Sequence, residues 1–279
     1  MKELSVIVYG SSKPHFILRI TSVLIIFFMT TAADAQSLIP ELSFKNPILK
    51  TGKGCANGGQ DGAVYIFENV GWNVDALVTI LGRSGTEVTL SEVDIQGPEQ
   101  DSVGGTGDDD AWQPRIRYAD GNAPAHQTWW MEFKISFVKH QDRNTSIKVN
   151  QFFVSGLDID GDGKQLHEFQ SYYKMHFFSL EPFTAVFASS VQGSELDPLL
   201  KGKRFDGSSK NYPGISMTAQ DAMVNNLYTG SSSMVVRLGA ETGKTGSIKA
   251  DRMYGLLFKS LVFDVPEPEK EPVNLVAFR

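Results

Sequence analysis

The run Thr128-Trp129-Trp130-Met131-Glu132-Phe133-Lys134-Ile135-Ser136-Phe137-Val138-Lys139 decides how the chain must fold. Its odd positions from Trp129 to Phe137 are all apolar, whereas Glu132, Lys134 and Ser136 are polar. Side chains of an extended strand point alternately to opposite faces, so this run has one core face and one wet face. Shorter runs of the same kind recur on either side, at 63–68, 75–81, 87–95, 113–118, 147–157, 168–178, 184–189, 223–228, 233–238 and 252–263. Roughly eleven strands separated by turn residues predict an all-β chain, an antiparallel β-sandwich of jelly-roll type, rather than an α/β fold. Beyond the N-terminus no segment carries a sustained helical apolar stripe.

Two runs carry finer detail. In 87–95 the apolar parity changes, with Val88 and Leu90 on one phase and Val93 and Ile95 on the other. Strict alternation makes that slip a β-bulge near Ser91–Glu92. From Met253 to Phe263 both parities are apolar apart from Lys259 and Ser260, the pattern of a central strand covered on both faces.

At the N-terminus, Lys13 and Arg19 precede an uncharged stretch from Ile20 to Ala33, followed by the small-x-small site Ala33-Asp34-Ala35. That order is the signature of a cleavable signal peptide over residues 1–35, and it predicts an exported, secreted or surface-held product. The apolar stretch falls short of the roughly 20 residues a membrane span needs. The expected organisation is then a flexible segment at 36–59, the sandwich at 60–265, and a Pro/Glu linker with the start of a further strand at 266–279. The linker reads Val265-Pro266-Glu267-Pro268-Glu269-Lys270-Glu271-Pro272, an extended composition poor in core residues. The formal net charge is −6. An acidic chain with no basic cluster argues against nucleic acid, and no segment after the signal calls for membrane insertion. With one cysteine, Cys55, no internal disulfide is available.

Several phrases together resemble a recurrent β module of exported bacterial proteins. They are Asn73-Val74-Asp75-Ala76-Leu77-Val78-Thr79-Ile80, Trp112-Gln113-Pro114-Arg115-Ile116, Trp130-Met131-Glu132-Phe133-Lys134-Ile135, and Leu157-Asp158-Ile159-Asp160-Gly161-Asp162-Gly163 with Glu168-Phe169 after it. The module that this resembles sits in large surface or secreted chains of gliding-type Gram-negative bacteria. There it is often followed by a Pro-Val-x-Leu-x-x-Phe strand, which Pro272-Val273-Asn274-Leu275-Val276-Ala277-Phe278 matches. The resemblance spans about residues 60 to 278 and implies no particular activity. His167 stands where that module usually has an arginine before Glu-Phe.

The sharpest chemical feature is Asp158-x-Asp160-x-Asp162-Gly163. Carboxylates at alternate positions converge when the chain turns, and a loop of hard oxygen ligands suits Ca²⁺. The expected structural calcium site comprises Asp158, Asp160, Asp162 and Glu168. It departs from an EF-hand, because Glu168 sits one position early and no helix pattern flanks the loop. Asp75 and Glu132 are candidates to complete a metal shell or to pair with Arg115 or Arg117, with an ordinary solvated or salt-bridged carboxylate as the commoner outcome. The run Asp108-Asp109-Asp110 reads as a solvated loop. Trp112 and Trp130 are candidate ligand platforms for stacking against a sugar ring, whereas Trp129 falls on the core parity.

Nothing favours nucleophilic catalysis. The chain has no Gly-x-Ser-x-Gly elbow, and its histidines lack zinc-site spacing. Gly239-Ala240-Glu241-Thr242-Gly243-Lys244-Thr245 is one residue short of a phosphate-loop spacing. The leading expectation is therefore an exported, non-catalytic adhesion or glycan-binding module stabilised by calcium, with a glycan or surface protein as partner. The alternatives are a carbohydrate-active hydrolase or lyase on the same sandwich, and a structural spacer of a surface protein.

Overall fold

The computed structural model describes residues 40–95, 110–212 and 214–261. The expected signal peptide, Asp108 and Asp109, the Pro/Glu linker and the strand after it lie outside the described residues. In chain order the strands are β1 (Ile48–Leu49), β2 (Val64–Gly71), β3 (Val74–Arg83), β4 (Val88–Glu92), β5 (Arg115–Tyr118), β6 (Thr128–Lys139), β7 (Asp142–Ser146) and β8 (Val149–Leu157). They continue with β9 (Leu166–Tyr173), β10 (Phe177–Ser179), β11 (Phe187–Gln192), β12 (Lys201–Asp206), β13 (Val224–Ser231), β14 (Ser233–Thr242), β15 (Asp251–Met253) and β16 (Gly255–Leu257).

These strands form the all-β antiparallel sandwich that the alternation predicts. The large sheet runs β1-β2-β3-β6-β14-β9-β12-β11, with β7 also paired to β6; a four-stranded sheet runs β10-β13-β8-β16, and a three-stranded one β15-β5-β4. The Thr128–Lys139 run sits centrally, as β6 between β3 and β14. Trp129, Met131, Phe133, Ile135 and Phe137 are all buried in the main core. Phe137 meets Phe152 of β8 edge-on at 5.0 Å, and Phe152 stacks on Tyr228 of β13 at 5.1 Å. The first of those pairs joins the two larger sheets, and the second lies within the four-stranded one.

The bulge expected near Ser91–Glu92 is present as a register shift between Leu90 and Glu92 against β5. The central strand expected over Met253–Phe263 is instead two short strands. β15 pairs with β5, and after Tyr254 the chain crosses to pair β16 with β8. Residues 252–258 are buried throughout. A chain that changes sheets in the interior needs apolar side chains on both parities, just as a doubly covered strand does. The segment expected to be a flexible lead-in also differs over residues 40–59. Phe44 is fully buried and stacks on Phe258 at 4.2 Å, and β1 pairs with β2. The amide of Leu42 donates to the Phe258 carbonyl at 3.0 Å, closing an isolated antiparallel bridge between the two ends of the described chain.

Phe133 lies at the centre of this core, where Trp112 meets it edge-on at 5.0 Å. Phe133→Ala should cost about 3–5 kcal/mol of unfolding free energy. Urea denaturation of both proteins would read that loss as a lower midpoint at unchanged slope.

Candidate functional site: a buried charge cluster and an exposed hairpin tip

The Asp158–Gly163 loop forms the tight connection from β8 into β9. Asp158 takes a left-handed φ of 55°, and Gly163 one of 74°. Gly161 passes so close to the following strand that a β-carbon there would lie 2.4 Å from the Leu166 carbonyl oxygen. The loop therefore depends on those two glycines and on an aspartate that tolerates the left-handed region.

Three of the four expected calcium ligands, Asp160, Asp162 and Glu168, bond protein donors in and around this turn. Asp162 accepts the amides of Lys164, Gln165 and Leu166 on Oδ1, at 2.8, 2.9 and 3.1 Å, and the Ser247 hydroxyl on Oδ2 at 2.9 Å. Those bonds outweigh its burial and hold its carboxyl below the usual range. Asp160 accepts the Arg252 guanidinium at 2.9 Å on Oδ1 and the Tyr212 amide at 2.6 Å on Oδ2. Glu168 accepts Arg252 Nε on Oε1 in a short, charge-assisted contact. Arg252 also donates to the Gly161 carbonyl at 3.2 Å.

This leaves three buried polar atoms without a partner, namely Asp158 Oδ1, Glu168 Oε2 and the hydroxyl of Tyr254. Three carboxyl groups and one guanidinium share an interior where none is more than slightly exposed. Burial raises Asp158 well above an ordinary aspartate, with the charges of Asp160 and Glu168 adding to the rise. It also pushes Asp160 up to about 8, against the opposing pull of Arg252. Burial raises Glu168 as well. Arg252 in turn is raised, because its two carboxylate partners more than offset its burial.

That donor set does not fit a calcium ion, which asks for about six to eight oxygens. Asp160 and Asp162 have both oxygens on protein donors, and a guanidinium holds the position between Asp160 and Glu168, which leaves Asp158 and one Glu168 oxygen as the unspent donors. Among the described residues no group of three or more His, Cys, Asp or Glu is placed to hold a metal. The carboxylates do converge, as their spacing implied, but on Arg252. That residue comes from 92 positions further along the chain. The one signal for it in the sequence is a single arginine at the head of the apolar run Met253–Phe258.

The other expected site residues also find internal partners. Asp75 is fully buried and bonds His140 Nδ1 at 2.8 Å, Arg143 Nε at 2.9 Å and the Asn69 amide at 2.9 Å. These bonds outweigh its burial, so its carboxyl sits below the usual range. Glu132 stands on the polar parity of β6 but is fully buried, because the loop after β11 covers it. It accepts the Glu195 amide at 2.7 Å and Arg237 at 3.0 Å, so its partner is neither Arg115 nor Arg117. Arg115 pairs instead with Asp251. Burial outweighs the Arg237 charge and raises Glu132. Trp112 is wholly buried and donates its indole N–H to the Val93 carbonyl, so it offers no face to a ligand. Trp130 is half-buried, with the Arg237 guanidinium 3.9 Å from its ring centroid.

A different tryptophan is open. Trp72 occupies the two-residue turn between β2 and β3 with Asn73, and it is 95% exposed. Asn73 supplies the left-handed φ of 59° that the turn requires. The turn abuts the β6–β7 hairpin, since the His140 amide donates to the Asn73 carbonyl at 3.1 Å. The Asp75–His140–Arg143–Glu68 network thus ties the strands on either side of this turn to the neighbouring hairpin. The sequence signal for this tip was its Gly71-Trp72-Asn73 turn triplet, which strand periodicity alone passes over.

Together, the fold and these sites define an all-β antiparallel sandwich stiffened by buried ion pairs. No family model and no curated protein matches the chain. Among solved structures, the N-terminal domain of the Streptococcus gordonii adhesin Sgo0707 is similar at 12% identity with a TM-score of 0.41. The match covers 81% of this chain and 59% of that one.

The charge cluster sets a pH signature. A carboxyl raised in the folded state binds its proton more tightly there than in the unfolded chain. It therefore favours folding below the unfolded pKa of about 3.9 and loses that contribution as pH rises through the folded value. Stability should fall between pH 5 and pH 8.5. Asp158→Asn, which keeps the left-handed backbone and removes the charge, should be more stable than the parent at pH 8 and nearly equal to it at pH 5. Urea melts at those two pH values check this. In the same assay, millimolar Ca²⁺ after EDTA treatment should leave the parent's urea midpoint unchanged. A filled site at 100 times its dissociation constant would instead add about 2.7 kcal/mol.

Proposed function

We propose that this chain is an exported, non-catalytic adhesion-type module that engages an extracellular glycan at the β2–β3 hairpin tip. The observation that carries the reading is the 95% exposure of Trp72 on a rigid two-residue turn. A large apolar ring held open on a structured turn favours contact with a partner, and a flat indole face suits the apolar face of a pyranose ring. The polar groups of the neighbouring hairpin supply hydrogen bonds for sugar hydroxyls: the half-exposed His140, the exposed Gln141 and Asp142, and Arg143. Export is supported by the charged, apolar and small-residue order of the first 35 positions.

The non-catalytic part of the reading rests on where the carboxylates go. Asp75, Glu132, Asp160, Asp162 and Glu168 are each bonded to protein donors inside the fold. A groove of about 440 Å³ lined by Gln60, Asp61, Arg83, Gly85 and Thr86 offers Asp61, which is itself paired with Arg83. Glycosidic hydrolysis asks instead for two carboxyl groups facing one open cleft.

Trp72→Ala should leave the unfolding free energy within about 0.5 kcal/mol, since the ring packs on nothing. It should reduce retention on a glycan array or on immobilised cell-surface polysaccharide by about 2 kcal/mol or more, roughly 30-fold in affinity. Trp72→Phe should keep part of the binding. Equal binding by parent and Trp72→Ala would remove the hairpin tip from the function.

A further inference from the structure

The large sheet ends at β11, and that edge carries none of the usual protection. Its sequence, Phe187-Ala188-Ser189-Ser190-Val191-Gln192, holds no charge and no proline, and none of the six side chains is buried. Exposed edge strands are a liability that chains ordinarily blunt with lysine, proline or a covering segment. Open apolar side chains instead stand at its two ends in sequence, with Phe183 73% and Phe187 71% exposed before and at its start and Leu199 72% exposed in the loop after it. Beside it lie Lys174, Lys201 and Lys203, none of which has a carboxylate partner among the described residues. A surface with these properties is built to be covered by something apolar, strand-forming and acidic.

The chain's own C-terminal stretch has those three properties. Glu267, Glu269 and Glu271 stand among Pro266, Pro268 and Pro272 with one base, Lys270, and the following Val273-Asn274-Leu275-Val276-Ala277-Phe278 is β-prone and uncharged. The last described residues head the right way. From β16, at one edge of the four-stranded sheet, Lys259 lies over β8, where its carbonyl accepts the Ser155 hydroxyl at 2.6 Å. Leu261 then lies over β13, exchanging hydrogen bonds with the Asn225 side chain at 2.7 and 3.2 Å. The next strand in that direction is β10, which residues 180–186 connect to β11. Residues 262–272 extend at most to about 36 Å, several times the ~4.8 Å spacing between neighbouring strands.

We propose that the segment Val273-Asn274-Leu275-Val276-Ala277-Phe278 adds to the free edge of β11 in the same molecule, with the Glu267–Glu271 acids lying along Lys174, Lys201 and Lys203. The added strand completes the large sheet and covers the apolar side chains at its edge. The main-chain groups of β11 supply the hydrogen bonds, and the exposed aromatic side chains supply the apolar contact.

The test is amide exchange across β11 in the full chain, compared with the single variants Leu275→Pro and Val276→Pro. Adjacent strand residues point their N–H groups to opposite sides, so one of the two prolines must remove a bond to β11. At least one variant should speed exchange of the β11 amides tenfold or more while leaving β6 amides unchanged. A synthetic peptide of residues 272–278 added to that variant should restore protection, and the parent should remain monomeric by light scattering. Two results would overturn the proposal. One is β11 exchange that neither proline alters. The other is protection that rises with protein concentration alongside a dimeric mass, which would assign the strand to a second copy.

Discussion

The guanidinium of Arg252 sits among three buried carboxyl groups and holds together parts of the chain that no local interaction would join. It reaches from β15 in the smallest sheet to Asp160 in the turn before β9 and to Glu168 on β9 itself. It therefore fixes where the large sheet's centre stands relative to the strands around β5. Removing one partner from a buried ion pair strands the other charge, at a cost of about 3–5 kcal/mol, whereas replacing the whole group with apolar residues can be neutral. A cluster with more acids than bases is thus better suited to specifying one arrangement than to adding stability. The carboxyl groups it leaves short of a counter-charge must keep their protons, which ties the sandwich's stability to pH.

The sequence discloses much of this architecture because strand periodicity is a local property. The β6 pattern, the bulge at Leu90–Glu92 and the core parity of Trp129 can each be read from a dozen residues or fewer. What escapes such a reading depends on distant segments. Met253–Phe263 looks like one doubly covered strand, but a chain crossing between sheets inside the core has the same composition. Glu132 reads as solvent-facing because alternation names only the face, not the loop from 193–200 that later folds across it. Of the four acids read as cation ligands, Asp160 and Glu168 take as partner an arginine 84 to 92 residues away, which no reading of the loop alone could supply. Trp112 and Trp130 attract attention by their phrases, whereas Trp72 is the one whose ring stays open.

The distribution of open apolar side chains separates two kinds of surface. Trp72 projects from a two-residue turn that a backbone hydrogen bond from His140 to Asn73 ties to the next hairpin. Phe183, Phe187 and Leu199 instead gather around a strand whose outer main-chain groups lack a partner among the described residues. An isolated ring on a rigid tip suits reversible contact with a partner. An unsatisfied strand edge asks for continuous pairing along its length, because hydrogen bonds form there one residue after another. With both on one scaffold, the proposed contact at the tip and the proposed pairing at the edge would draw on different strands, β2–β3 and β11.

The bridge between Leu42 and Phe258 has a mechanical meaning. The described chain enters and leaves at neighbouring positions joined by one antiparallel contact, so tension drawn between its ends falls on that pair rather than along the strands. Such a contact opens by peeling, one bond at a time, and β6, β8 and β14 lie outside the line of pull. A load applied through Pro40 and Leu261 would therefore leave the sandwich beside its path as a pendant head, still folded while that one contact opens.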